Sequence, residues 1–287
     1  MSFVTRFAPS PTGYLHIGHA FAAITAYEAA KKAGGRFLLR IEDTDHTRCR
    51  PDYEQAIYDD LAWLGLTWET PVRRQSDYYT DYDKILQELI DKGLVYRCFQ
   101  TRKEIQAALA SARNLTMGPD GPVYIGTPLP PAEEAAALEA GKPFAWRLSM
   151  TACKENLGGA WHNLMFTEED TGPEGETGTI KATPDLFGDV VIARKETGTS
   201  YHLAGVHDEA VQGISHVIRG QDLFAATHIH VLIQRLLDLP TPIYRHHRLL
   251  TDENGKKFAK SDKSKTIRAW REEGKSPADL IALFEQY

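Results

Sequence analysis

FVTRFAPSPTGYLHIGH at residues 3–19 and, beyond an alanine-rich stretch, RFLLRIEDTD at residues 36–45 decide the fold. Residues 3–8 read as a short strand, which Pro9-Ser10-Pro11-Thr12-Gly13 breaks with a loop that can continue neither a sheet ladder nor a helix. Over residues 17–32 the alanines, with Phe21, Ile24 and Tyr27, have helical spacing, and Gly34-Gly35 ends the run. Residues 36–41 then form a second apolar strand. Strand, glycine-containing turn, helix and strand make a βαβ unit, so the fold class is α/β with a parallel sheet and a right-handed connection. The ligand site of such a sheet lies at the carboxyl ends of its strands, where residues 9–19 and 42–45 both fall.

Working outward, helices are predicted at residues 52–64 and 77–92, closed by Gly65 and Gly93. The character changes between residues 98 and 183, where Gly118-Pro119-Asp120-Gly121-Pro122, Pro128-Leu129-Pro130-Pro131 and a Gly/Glu/Thr-rich segment leave little steady periodicity. This reads as an insertion of short strands and loops with one helix at residues 131–140. Regular patterning resumes with strands at 189–194 and 201–203 around Thr197-Gly198-Thr199. Residues 208–211 begin a further element leading to a strand at 214–219.

With 287 residues, 42% of them hydrophobic, the chain can bury a sizeable core as one large domain or one domain with an insertion. No run approaches the roughly 18 apolar residues needed to span a bilayer, and the first residues carry no basic stretch followed by a long apolar one. A soluble cytoplasmic protein is the expectation. Cys49, Cys98 and Cys153 are odd in number and widely spaced, which describes neither a disulfide framework nor, alone, a metal site. A formal net charge of −6 argues against nucleic-acid binding through bulk positive charge. Any such contact falls to a local patch, and the candidate is Arg245, Arg248, Lys256, Lys257, Lys260, Lys263, Lys265, Arg268, Arg271 and Lys275.

Two motifs carry chemistry. His16-Ile17-Gly18-His19 starts the first helix directly after the Pro/Gly loop. Backbone N–H groups and the positive end of a helix dipole favour phosphate there, imidazole N–H groups can add hydrogen bonds, and Gly18 leaves room for a nucleotide near the backbone. Lys256-Lys257-Phe258-Ala259-Lys260-Ser261 follows the turn Asp252-Glu253-Asn254-Gly255 and puts mobile ammonium groups on a loop. Flexible point cations suit a migrating pyrophosphate charge, since in-line attack on a phosphoryl group is catalysed mainly by positioning and charge stabilisation. Alone, each motif reads more readily as exposed polar residues; together they become two halves of one ATP site.

Residues 6–19, then Leu39-Arg40-Ile41-Glu42-Asp43-Thr44-Asp45, Tyr201-His202-Leu203-Ala204 and His216-Val217-Ile218-Arg219-Gly220-Gln221-Asp222, resemble the glutamyl-tRNA synthetase family in order along nearly the whole chain. Lys257 to Ser261 stands where that family has its KMSKS loop, with Phe258 and Ala259 as departures. The resemblance implies a Rossmann-type catalytic domain at residues 1–97 and 184–244, an inserted acceptor-binding-like subdomain at 98–183, and a KMSKS-like loop with a helical tail at 245–287. It implies a glutamate pocket of Arg6, Ser10, Glu42, Tyr201 and Arg219, with Glu42 holding the substrate ammonium. It also implies that His16, Gly18 and His19 bind ATP, that Lys257 and Lys260 attend the leaving pyrophosphate, and that magnesium accompanies the nucleotide. A guanidinium reads a carboxylate through a planar fork of charge-assisted hydrogen bonds, whereas a buried arginine facing a neutral amide is left uncompensated. Glutamate is thus favoured over glutamine.

Only a short tail follows Ser261, where the family continues into a helical anticodon-binding region. The length is similar to that of a truncated branch that attaches glutamate to queuosine in the anticodon of tRNA(Asp), so the anticodon stem-loop of tRNA(Asp) is the expected partner and a monomer the expected state. A truncated conventional enzyme, a non-enzymatic RNA-binding paralogue and an unrelated nucleotidyltransferase are the alternatives. The branch also implies a zinc site of a Cys-x-Cys and a Tyr-x-x-x-Cys pair. Here Cys98 is followed by Gln100, and Tyr124 by Pro128. One thiolate and one phenol cannot complete a four-ligand tetrahedral site, so no zinc is expected. Proline-rich packing is expected to stabilise the insertion instead.

Overall fold

The computed structural model describes residues 2–110, 116–119, 121–194, 198–251 and 265–285. The opening unit forms as read: β1 (Val4–Phe7), α1 (Ile17–Lys32) and β2 (Arg36–Ile41), with β1 and β2 parallel in the register Val4 with Arg36 to Phe7 with Leu39. Helix α1 buries Ala20, Ala23, Ala26 and Ala30, and these small side chains let its backbone lie close over Phe37, Leu39 and Ile41. Gly34, at φ +59°, turns the chain out of the helix, and at Gly35 a Cβ would meet Phe3 O at 2.2 Å. The two glycines thus do separate jobs, one a left-handed cap and the other a close crossing.

Helix α2 (Pro51–Trp63) follows; β3 (Arg73–Arg74) then pairs parallel to β2, and α3 (Tyr79–Asp91) comes after a 3₁₀ turn. In the middle of the chain come β4 (Val95–Cys98), α4 (Arg102–Ala110), β5 (Met117–Gly118), β6 (Gly121–Pro122), α5 (Pro131–Glu139), β7 (Ala145–Leu148), α6 (Met150–Leu157), β8 (Met165–Glu168) and β9 (Gly178–Lys181). The expected helix is α5; α4 and α6 are additional. Helix α6 is only eight residues long, too short for its period to stand out, and is set by Ser149 Oγ, which accepts from Ala152 N at 3.2 Å. Strand β7 is the centre of an antiparallel sheet between β4 and β10 (Val191–Arg194), so the segment is stitched to both of its flanks.

The strand expected at residues 201–203 is instead the first turn of α7 (Tyr201–Val211), which also takes in residues 208–211. Ser200 Oγ caps it, accepting from Leu203 N at 3.4 Å. Buried Leu203, Ala204 and Val206 continue at helical spacing, which outweighs the β-favouring look of Tyr-His-Leu taken alone. Strands β11 (His216–Gly220) and β12 (Ile243–His247), linked by α8 (Ala226–Leu236), run parallel; β8 joins β12 in parallel and β9 pairs antiparallel with β8. Ser215 N donates to Val4 O at 3.0 Å and sets β1 beside β11. Short helices α9 (Ile267–Glu272) and α10 (Pro277–Ile281) close the described chain. No helix among the described residues is long and apolar enough to cross a membrane.

Candidate active site

A cleft of about 530 Å³ opens at the carboxyl ends of β1, β2 and β11, the position the parallel sheet dictates. Its walls include Arg6, Pro9, Ser10, His16, Gly18, His19, Glu42, Tyr201 and Arg219. The first loop, the start of α1, the end of β2, the start of α7 and β11 therefore converge as the sequence reading requires. Lys257, Lys260 and Ser261 lie outside the described residues.

The histidine motif caps its own helix. His16 Nδ1 accepts from Gly18 N at 3.1 Å and His19 Nδ1 accepts from His16 N at 3.1 Å, with the two rings 3.8 Å apart. Two backbone N–H groups expected to meet phosphate are thus already bonded. A neutral ring that accepts at Nδ1 carries its proton on Nε2, so each imidazole can donate only through Nε2. The room over Gly18 is also partly taken: a Cβ there would meet His16 Cε1 at 3.1 Å.

Behind the residues expected to form a glutamate pocket lies a buried ionic layer that sequence reading did not assign. Arg6 is 5% exposed, and its Nε and Nη2 both donate to Glu209 Oε1, at 3.3 and 2.8 Å. Arg40, fully buried in β2, donates to Glu42 Oε1 at 3.0 Å and to Gln212 Oε1 at 3.1 Å, with Asp208 and Glu209 close by. Burial opposes the Arg40 charge, but Glu42, Asp208 and Glu209 more than offset it and hold its pKa above the ordinary value. Burial likewise raises the Glu42 carboxyl, against the pull of Arg40 and Arg6. Asp208 is shared by Arg73 Nε at 2.8 Å, Gln75 Nε2 at 3.0 Å and the Tyr82 hydroxyl at 2.9 Å. A signal for this layer was present: Arg40 inside Phe37-Leu38-Leu39-Arg40-Ile41, and Asp208-Glu209 at buried helix spacing, are charges that a core admits only as partners.

Arg219 differs from both. It is 5% exposed, yet among the described residues no carboxylate lies within ion-pair distance of it. Its Nη1 donates to the Tyr201 hydroxyl at 3.0 Å and meets His230 Nδ1 at 3.3 Å. Nη2 donates to Thr227 Oγ1 at 2.8 Å and Leu223 O at 3.1 Å, and Nε donates to His246 Nε2 at 3.1 Å. Every one of these acceptors is a neutral group. Tyr201 is 37% exposed at the mouth of the cleft and not a core tyrosine. Ser10 Oγ lies 3.8 Å from Cys49 Sγ.

The class I tRNA synthetase model for the glutamate and glutamine enzymes, catalytic domain, matches residues 2–286. The chain belongs to this family. It is 48% identical to the glutamyl-Q tRNA(Asp) synthetase of Rhodobacter capsulatus over 98% of this chain and 99% of that one. It is 37% identical to the glutamate–tRNA ligase of Aquifex aeolicus, covering 96% of this chain but 55% of the ligase. Among solved structures, a glutamate tRNA ligase from Elizabethkingia meningosepticum in complex with its amino acid superposes with a TM-score of 0.77 at 25% identity, over 99% of this chain and 60% of that one. The chain thus spans nearly all of the first relative and little more than half of the synthetases that bear a tRNA ligase name.

Within this synthetase fold the described part of residues 98–183 brings the Cys98, Gln100 and Tyr124 side chains together. Tyr124 donates to Gln100 Oε1 at 2.6 Å and lies 3.8 Å from Cys98 Sγ, while Pro128 brings no ligand atom. Among the described residues no group of three or more His, Cys, Asp or Glu could hold a metal ion. Asp189, 2% exposed, ties the region together: it accepts from the Tyr96 hydroxyl at 2.9 Å, Gly126 N at 2.8 Å and Met150 N at 2.8 Å. A buried carboxylate from beyond residue 183 thus holds two backbone N–H groups of this segment. The basic patch is also less free than its sequence suggests, since Arg245 pairs with Glu169 at 2.7 Å, Arg268 with Glu272 at 2.8 Å, and Lys265 with Glu273.

Proposed function

We propose that the protein activates glutamate with ATP, without needing tRNA for that step, and then transfers the glutamyl group to queuosine in the anticodon of tRNA(Asp). The observation that carries the glutamate reading is Arg219. A buried guanidinium whose direct acceptors are all neutral, with the Glu209 charge acting on it only from beyond ion-pair distance, favours an anion in the cleft as its direct partner. A substrate carboxylate meets that demand and a carboxamide does not. Arg6 and Arg40 are already compensated by Glu209 and Glu42 and shape the pocket around it.

In this reading Arg219 and Tyr201 receive the side-chain carboxylate, Glu42 attracts the ammonium group, and Arg6 and Ser10 line the pocket. The α-carboxylate oxygen attacks the α-phosphorus of ATP. The bond from that phosphorus to the bridging oxygen breaks, and magnesium pyrophosphate leaves. His16 and His19 donate Nε2–H to phosphoryl oxygens, and Lys257 and Lys260 balance the charge growing on the leaving group. A hydroxyl of the acceptor then attacks the acyl carbon of the adenylate and AMP departs. No covalent enzyme intermediate is needed. Queuosine in tRNA(Asp) is favoured by the similarity, along almost the full length of both chains, to the Rhodobacter capsulatus relative of that name. The reading includes no zinc, since Gln100 and Tyr124 bond to each other where two ligands would have to sit.

The test is glutamate-dependent ATP–pyrophosphate exchange without tRNA, followed by glutamate transfer to tRNA(Asp) carrying or lacking queuosine. Exchange without tRNA and transfer only to the queuosine form are expected. Exchange that strictly requires tRNA(Glu) would instead make this a shortened conventional synthetase, and absence of any exchange would make it a non-enzymatic paralogue.

A further inference from the structure

Arg219 is aimed by imidazoles, and their tautomers follow from the hydrogen bonds they make. Arg219 Nε can only donate, so His246 Nε2, 3.1 Å away, must accept. The His246 proton then sits on Nδ1, which faces Glu168 Oε2 at 2.5 Å. Glu168 is 1% exposed and held in turn: its Oε1 accepts from His246 N at 2.8 Å and Asp170 N at 3.1 Å. The same logic runs on the other side of the guanidinium. His230 Nδ1 accepts from Arg219 Nη1, so His230 Nε2–H donates to His202 Nδ1 at 3.2 Å. The remaining faces of His246 meet the Tyr244 and Phe224 rings and the Thr227 hydroxyl, none of which carries charge.

We propose that Glu168 is a positioning residue that acts through His246: by holding the proton on Nδ1 it keeps Nε2 an acceptor, which aims the Arg219 fork into the cleft. The inference rests on the reading of Arg219 as the receptor of the substrate carboxylate. Glu168 touches neither the cleft nor Arg219; its influence is the choice of tautomer. Burial, with the Arg219 and His247 charges, lowers the His246 pKa against the pull of Glu168, the sense that favours a neutral ring. The arrangement resembles the way a carboxylate orients a metal-bound histidine through its other ring nitrogen, with a guanidinium in place of the metal.

Glu168→Gln makes the idea testable because an amide cannot satisfy all three donors. With its oxygen toward the two backbone N–H groups, its NH2 faces His246 Nδ1, forces the proton to Nε2 and sets it against Arg219 Nε–H. With the amide reversed, the NH2 opposes the backbone N–H groups. The expected result in ATP–pyrophosphate exchange is a glutamate KM raised about tenfold or more, with kcat and the KM for ATP within about twofold, the pattern of a lost binding interaction. His246→Leu should raise the glutamate KM similarly. His246→Gln should recover most of it, because the amide oxygen can accept from Arg219 without Glu168. Adding Glu168→Gln to His246→Gln should then raise KM no further. Equal damage to kcat and both KM values, or no difference between His246→Leu and His246→Gln, overturns the proposal. Should Glu168→Gln fail to fold, that comparison at position 246 decides alone. Wild-type protein without glutamate-dependent exchange is a failure of the functional reading, whereas wild-type exchange with a Glu168→Gln KM unchanged is a failure of the positioning role only.

Discussion

Arg6 Nη2 lies 2.8 Å from Glu209 Oε1, a buried ion pair that joins the first strand to helix α7 across 203 residues of sequence. It anchors the floor of the cleft, since β1 leads into the loop bearing Ser10 and α7 begins at Tyr201. Removing one partner of such a pair leaves a buried charge that costs about 3–5 kcal/mol. Glu209→Ala is therefore expected to lower the melting temperature by roughly 10 °C, at about 2–4 °C per kcal/mol for a chain of this size. Glu209→Gln should do less harm, because Oε1 takes both Arg6 bonds and can be kept. Differential scanning calorimetry checks both, and a shift under 2 °C for the alanine variant refutes the account.

Lys260 supplies the second prediction. It is the second lysine of the KMSKS-like stretch, and in the proposed mechanism it balances charge that develops only in the transition state. Lys260→Ala should lower the rate of glutamate activation by about 10²-fold or more, the size of losing one preorganised charge stabiliser. The KM values for glutamate and ATP should move far less. Unchanged pyrophosphate exchange would remove Lys260 from the site.

Most of the frame was legible in the sequence because local signals coincide there. Residues 3–41 carry strand, breaker, helix and strand signals that agree with one another, and β1, α1 and β2 form where they point. The convergence of Arg6, Glu42, Tyr201 and Arg219 was legible only through motif order, since nothing local says that positions so far apart share a cleft. What stayed hidden has a common cause. Glu209, Glu168 and His246 act through partners brought by other strands, and a buried carboxylate looks like a surface one until its arginine or histidine is in place. Helix α7 is hidden for the opposite reason: Tyr201 to Leu203 look like a strand without the capping Ser200 and the apolar spacing beyond them.

The middle of the chain gives a third expectation. Cys98 is buried and its sulfur faces the Tyr124 hydroxyl, which is itself bonded to Gln100. Desolvation leads the causes that push the Tyr124 phenol up to about 12, so it is a hydrogen-bond donor and not a phenolate ligand at neutral pH. Elemental analysis of purified protein should find zinc far below one atom per chain, and a strong chelator should leave the melting temperature unchanged. Asp189→Ala, by contrast, frees Gly126 N and Met150 N inside the segment and should cost on the order of 2–5 kcal/mol, with two or more buried donors left unpaired. Stoichiometric zinc would contradict the reading of Gln100 and Pro128 as replacements.

Asp60 makes stability depend on pH. Its side chain in α2 is fully buried, among the described residues neither carboxyl oxygen has a hydrogen-bond partner, and Arg271 of α9 stands 3.7 Å away. Burial, only partly offset by Arg271, pushes its pKa up to about 6. The folded state therefore keeps a proton that the unfolded chain, with an aspartate near its usual value of about 3.9, has already released. Stability contributed by this group is fully present below about pH 4 and is lost as the pH rises through about 6. Asp60→Asn abolishes the titration whatever its own cost. The difference in unfolding free energy, variant minus wild type, should consequently grow by on the order of 1–3 kcal/mol in favour of the variant between pH 4.5 and 7.5. Urea unfolding at the two pH values measures it, and a difference that stays flat, or shrinks, shows that Asp60 is ionised throughout in the folded protein.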